Sequence, residues 1–182
     1  MGIEISALGE IIKSLEEKGV SLDVLRETLS TFKCKKNLDE EDFLRKKAID
    51  YEKQNKARTY VLFNENDEIA GYFSLAFKSI DLKPVTPSKV KAMTAGESNV
   101  ETYSAFLIGH IAKNDTVKQK VGNTILEMAE NLLLEAQKIV GGRLVYLDCK
   151  DEPKLKEFYE SNNYKCFNKS EASGLLQYYK KL

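Results

Sequence analysis

Apolar residues recur three or four positions apart over two short stretches at the start of the chain. Ile5, Leu8, Ile12 and Leu15 share one helical face before Gly19, and Ser21 can cap a second helix running to Leu29. Thr31-Phe-Lys-Cys-Lys35 then reads as a short strand. An acidic helix start follows at Asp39-Glu-Glu-Asp42, with Leu44, Ala48 and Tyr51 facing inward. Acids in a first turn complement the helix dipole, which is the plainer reading of this run beside a catalytic carboxylate pair. The period next drops to two. Arg58–Phe63, a turn at Asn64-Glu-Asn-Asp67, and Glu68–Phe77 form a hairpin in which Ile69, Gly71, Phe73, Leu75 and Phe77 alternate onto one face.

Residues 83–103 make a long polar connection carrying Pro84 and Pro87, of a length that suits a mobile segment or a lid. The apolar strand Ala105–Lys113 leads through a lysine-bearing turn into a long helix, Gly122–Val140. Ile125, Met128, Leu132, Ala136 and Ile139 mark its buried stripe. Gly141-Gly142 stops the helix, Leu144–Leu147 reads as a buried strand, and a shorter helix starts near Asp151 with Pro153 in its first turn. Two strands near 164–167 and 175–179 close the order. It predicts an α/β fold, a mixed sheet with helices on both faces.

The strand–turn–helix unit is where chemistry is expected. Such a passage gathers unpaired backbone N–H groups and the positive end of a helix dipole at one point, which suits a phosphate. Gln119, Lys120, Val121, Gly122, Asn123 and Thr124 would supply those amides, and Lys118 and Lys120 would add charge where a pyrophosphate sits.

Composition narrows the rest. At 182 residues and 42% apolar content the chain can bury one good core, so a single domain over 1–182 is expected, with a helical extension at about 1–30. No apolar run approaches the ~18 residues of a spanning helix, and the first residues lack the pattern of a secretory leader, so a cytoplasmic protein without membrane contact is expected. The 28 basic and 28 acidic residues cancel, so nucleic-acid binding would need a local basic patch. Cys34, Cys149 and Cys166 are odd in number and far apart, which suits reduced, mostly buried thiols rather than disulfides or a metal site.

Four strings resemble the GNAT superfamily of acyl-CoA-dependent N-acyltransferases from about Thr31 onward. They are Phe32-Lys-Cys34 with Leu38–Ala48 and Arg58-Thr-Tyr-Val61; Ile69-Ala-Gly-Tyr-Phe-Ser-Leu75; Leu107-Ile-Gly-His-Ile-Ala-Lys113 leading to Gly122; and Leu155-Lys-Glu-Phe-Tyr159-Glu-Ser-Asn-Asn-Tyr164. The strings around Cys34, Arg58 and Tyr72 look most like the toxin-type subgroup that modifies aminoacyl-tRNA, with relatives in bacterial mobile elements. The chain departs from the family at its phosphate loop. Val117-Lys-Gln-Lys-Val-Gly122 keeps only the final glycine, and Lys120 stands where a glycine normally lets the backbone approach the pyrophosphate, either compensating by charge or obstructing. Asn163 likewise replaces a glycine before the late aromatic.

The resemblance implies a mostly antiparallel sheet and direct transfer of acetyl from acetyl-CoA to an amine in a ternary complex. It places oxyanion donors among the backbone N–H groups of His110, Ile111, Ala112 and Lys113, where strands splay, and the acid that protonates the departing thiolate at Tyr159. A phenol of pKa about 10 is not far mismatched to a thiol of about 8.5. His110, the sole histidine, could deprotonate the incoming ammonium or could simply be a satisfied core residue. The acceptor is left open between a small amine, a protein amine and aminoacyl-tRNA, the last with Lys33, Lys35, Lys36, Lys118 and Lys120 along one rim. An antitoxin and a second copy of the chain are expected partners of the toxin-type reading. A non-catalytic binding module on the same fold is the competing class.

Overall fold

The computed structural model describes residues 2–182. In order the chain forms β1 (Glu4–Ala7), α1 (Leu8–Glu17), α2 (Asp23–Ser30), α3 (Leu38–Asp42), a π-turn (Phe43–Lys47), α4 (Ala48–Lys53), β2 (Arg58–Phe63), β3 (Ile69–Asp81), α5 (Pro87–Met93), β4 (Thr102–Lys113), α6 (Gly122–Val140), β5 (Leu144–Cys149), α7 (Pro153–Ser161), β6 (Lys165–Lys169) and β7 (Leu176–Lys181). The strands form one sheet in the order β1-β2-β3-β4-β5-β7-β6. The β1–β2, β2–β3, β5–β7 and β6–β7 pairs are antiparallel, while β4 and β5 run parallel through Phe106–Val145 and Leu107–Tyr146. This is the mixed, mostly antiparallel sheet expected.

Two compact units divide the chain, Met1–Ala76 with Gly109–Asn131, and Phe77–Ile108 with Leu132–Leu182. In the first, the apolar faces of α1 (Leu8, Ile12) and α2 (Leu25, Leu29) join Phe43, Leu44, Ala48, Ile49, Val61, Ile69 and Tyr72 in one core. Ile5 does not belong to that helical face. It lies in β1 opposite Leu62, because Ile3, Ile5 and their polar neighbours alternate with a period of two and add an edge strand to β2. The π-turn inserts an extra residue between α3 and α4, with the Ala48 N–H bonding the Phe43 carbonyl. On α4, Glu52 is 6% exposed and accepts from Thr59 N–H at 2.8 Å and Arg58 Nη1 at 2.7 Å. Gly9 of α1 rides directly over that carboxylate: a Cβ there would lie 2.8 Å from Glu52 Oε1.

The second unit has its own core of Ile80, Leu82, Val85, Val90, Met93, Ala105, Leu144, Tyr146, Phe167 and Tyr179. Residues 83–103 are therefore not a structureless lid. Pro87 starts a short helix, and Val85, Val90 and Met93 anchor the connection in the core. Pro153 opens α7 as expected, and Asn163 takes the left-handed position after it (φ 67°) while the Tyr164 N–H bonds back to the Tyr159 carbonyl at 3.0 Å.

Helix α6 has the predicted bounds, but its stripe is turned. Ile125, Leu126, Ala129 and Leu133 are buried, whereas Ile139 is 83% exposed. At 3.6 residues per turn Ile139 falls roughly a quarter-turn from the centre of that face. Cys34 and Cys149 are buried, Cys166 is exposed, and all three are free thiols.

Candidate functional site

The turn after β4 is built on Asn114, which is 2% exposed. Its Nδ2 donates to the Ile69 carbonyl at 2.7 Å, its backbone N–H donates to the Ala70 carbonyl at 2.9 Å, and its Oδ1 accepts from Lys33 N–H at 3.1 Å and Thr116 N–H at 3.2 Å. Asp115 completes the clamp, with its N–H on the Lys33 carbonyl at 2.8 Å and its carboxylate accepting from Lys35 N–H at 2.7 Å. These side-chain bonds explain why residues 31–35 are not a strand: their backbone groups are taken by Asn114, Asp115 and, at the Cys34 N–H, the Glu41 carboxylate at 2.7 Å. That last bond, with Arg45 behind it, holds the Glu41 carboxyl below the usual range. Sequence reasoning missed this hub, although Asn-Asp directly after a strand is a turn signal.

Beyond the hub, Val117 and Val121 are buried while Lys118 and Lys120 are exposed. The helix ladder begins with Ile125 N–H on the Val121 carbonyl at 2.9 Å, so the amides of Gly122, Asn123 and Thr124 precede it. Lys120 keeps a negative φ, so the backbone demands no glycine there, and its exposed side chain turns to solvent. Gln119 is half-buried, with Oε1 buried and lacking a hydrogen-bond partner. Stitching residues 33 and 35 to 114–115 brings the segment carrying Lys33, Lys35 and Lys36 to the turn whose flanks carry Lys113, Lys118 and Lys120. None of the six lies in an ion pair among the described residues.

His110 lies on β4 beside this turn. Its backbone N–H donates to Ser74 Oγ at 3.0 Å, so it is not a free oxyanion donor, which corrects the expectation for that position. Ile111, Ala112 and Lys113 follow as half-buried residues at the strand end. The imidazole stacks on Phe43, with ring centroids 3.7 Å apart and planes 14° apart, and Nδ1 lies 3.1 Å from Glu40 Oε2. The Tyr72 hydroxyl sits 2.7 Å from both the Glu40 carbonyl and Glu40 Oε2. Burial, reinforced by the Glu40 charge, pushes that hydroxyl far above its ordinary pKa, so it donates and does not ionise. The dipole reading of the acidic run at 39–42 therefore does not account for Glu40. Seventy positions separate Glu40 from His110, and no spacing in the sequence could have joined them.

Tyr159 lies in the other unit, on α7. It is 5% exposed, with ring centroids 5.1 Å from Phe158, 5.8 Å from Tyr164 and 5.9 Å from Tyr178.

No family model matches the sequence, and no curated protein is significantly similar to it. Solved structures are another matter. The toxin AtaT in complex with acetyl-methionyl-tRNA is similar at TM-score 0.69 and 17% identity, over 97% of this chain and 94% of that one. A tyrosine-to-phenylalanine mutant of KacT is similar at TM-score 0.72 and 16% identity, over 100% and 95%. A tyrosine-to-phenylalanine mutant of AtaT, bound to the C-terminus of the antitoxin AtaR and to acetyl-CoA, gives TM-score 0.66 and 15% identity, over 98% and 92%. The chain has the GNAT fold. No helix among the described residues is long and apolar enough to cross a membrane, and no cluster among them has the make-up of a metal site.

Proposed function

We propose that this protein is an N-acetyltransferase of the toxin type, which moves acetyl from acetyl-CoA to the α-amine of aminoacyl-tRNA. The observation that carries the reading is the stitched loop cluster. Six lysines, in no ion pair among the described residues, lie on the two segments joined at the turn that leads into α6, in a chain whose net charge is zero. Cations so concentrated suit phosphates, first the diphosphate of coenzyme A and then a nucleic-acid backbone. AtaT, with its acetyl-methionyl-tRNA complex, has the same fold, which favours this acceptor over a small amine.

The residues fit coenzyme A. Amides of Gly122 and Thr124 would receive the diphosphate, with Lys118 and the exposed Lys120 giving charge from the solvent side. The orphaned Gln119 Oε1 cannot hold a phosphate oxygen, since both are acceptors, but matches the amide and hydroxyl donors that the same ligand carries. Acetyl-CoA supplies the thioester. His110 takes one proton from the acceptor ammonium, the amine attacks the carbonyl carbon, the nitrogen sheds its second proton to solvent, and the C–S bond breaks with its electron pair on sulfur. Tyr159 is assigned the proton donor to that sulfur on chemical grounds; the substitution of a tyrosine by phenylalanine in both AtaT and KacT is in keeping with it. A soluble chain acting beside tRNA, inhibited by a partner antitoxin, completes the reading.

The test is acetyl transfer from labelled acetyl-CoA to three acceptor sets: charged tRNAs, lysine peptides and small polyamines. Label on the aminoacyl end alone is expected. Label confined to small amines overturns the acceptor, and calorimetry showing no acetyl-CoA binding at millimolar ligand leaves only a non-catalytic module.

A further inference from the structure

The carboxylate of Glu40 is an acceptor only, so the His110 nitrogen facing it at 3.1 Å must carry the hydrogen. In the neutral ring this leaves Nε2 with its lone pair. The ring cannot swing freely, because one face is stacked on Phe43 and the side chain is 30% exposed. Glu40 is fixed in turn: it is 16% exposed, and the Tyr72 hydroxyl, rooted in the core, sits within hydrogen-bond reach of both its carboxylate and its own carbonyl. Three elements far apart in sequence, α3, β3 and β4, thus converge to set one proton.

We propose that Glu40, pinned by Tyr72, is a positioning residue that holds His110 in the Nδ1–H tautomer and presents Nε2 as the base for the acceptor's ammonium group. The inference rests on the acetyltransferase reading for its catalytic consequence, but the tautomer itself does not. When Nε2 accepts the ammonium proton, the imidazolium that forms faces the Glu40 carboxylate on one side and the negative face of the Phe43 ring on another. The freed amine attacks, and the proton leaves Nε2 to solvent after the amide has formed. Phe43 and Glu40 are three residues apart at the entry to the π-turn, so one short segment supplies both the stacking face and the carboxylate.

The chain has one histidine, so ¹⁵N-edited NMR of the imidazole reads this site without assignment. The wild type is expected to show a protonated Nδ1 and an unprotonated Nε2 at neutral to mildly alkaline pH. Glu40→Ala should shift the ring to the opposite tautomer or a mixture, and lower kcat for the acceptor about 10- to 100-fold while the acetyl-CoA Kd is unchanged. Glu40→Gln, which keeps an acceptor oxygen, should retain the tautomer and recover part of the rate. Tyr72→Phe, which preserves the core ring, gives an intermediate spectrum and guards against misfolding of the Glu40 variants. A wild-type ring protonated on Nε2, or an unchanged tautomer in Glu40→Ala, overturns the proposal even if the enzyme is active. The expected spectra in a chain that transfers acetyl to no acceptor would instead remove the base role and the functional reading with it, leaving the positioning of the ring intact.

Discussion

Gly71→Ala tests how the sheet holds the passage from β4 into α6. Gly71 lies on β3 beneath the first turn of α6, and a Cβ there would strike Ile125 Cδ1 and lie 2.8 Å from the Ala112 carbonyl oxygen. Ile125 can yield at its far end, but the Ala112 carbonyl of β4 cannot, so β3 and β4 must part where β4 runs into the turn before α6, the passage proposed to take the diphosphate. Overpacking of this kind costs about 1–3 kcal/mol. For a chain of this size that lowers Tm by about 2–12 °C. Loss of one amide bond to a charged phosphate costs about 1.5–3 kcal/mol more at the ligand, an affinity drop of roughly 10-fold or greater. Calorimetry with acetyl-CoA and thermal melts measure both. Ile125→Val removes the struck methyl at a cost of about 0.5–1.5 kcal/mol by itself. Combined with Gly71→Ala it should lose less stability than the two single changes summed. A Gly71→Ala protein with wild-type Tm and wild-type acetyl-CoA affinity would refute the argument, as would strict additivity in the double variant.

Other outcomes follow from the same geometry. Glu52→Ala strands the Thr59 N–H and unpins Arg58, and should cost about 1–3 kcal/mol in urea unfolding. Lys156 and Lys169 hold the Asp151 carboxyl down to about 2, below its unfolded value of about 3.9. Because the folded pKa is the lower one, its stabilisation is complete above about pH 5 and is lost as pH falls toward 2. The Tm gap between wild type and Asp151→Asn should close over that window and stay constant above it. Lys35→Ala with Lys36→Ala should reduce the salt slope of tRNA binding by roughly 1.4–1.8 while sparing acetyl-CoA affinity. Tyr159→Phe should lower kcat about 10- to 100-fold with acetyl-CoA Kd unchanged; full turnover removes it from the acid role.

Local periodicity carried the long elements. The hairpin, the bounds of α6 and Pro153 at the head of α7 were all legible because each is set by residues near one another in sequence. What escaped was long-range or small. Ile5 sat in phase with a helix yet pairs with Leu62, a partner no local pattern reveals. Residues 83–103 hid a helix because its turns bury only Val90, Met93 and the polar Thr94, too few apolar positions to mark a period against the surrounding lysines. At the candidate site, Gly122 and the lysines were visible as a turn before a helix. Asn114 looked like an ordinary loop residue, and Glu40 like a helix-dipole acid, because both roles depend on partners at least 32 positions away. The tautomer of His110 follows only from coordinates.

The π-turn at Phe43–Lys47 has an implication for engineering. One surplus residue advances the following segment by about 100° of helical phase. The half ending at Phe43 is thereby free to aim Glu40 at the imidazole while the half from Ala48 aims Glu52 at Arg58. Excising a single residue such as Asp42 should iron the segment into an uninterrupted α-helix, in which the directions of the two carboxylates are locked to each other and can no longer be set separately.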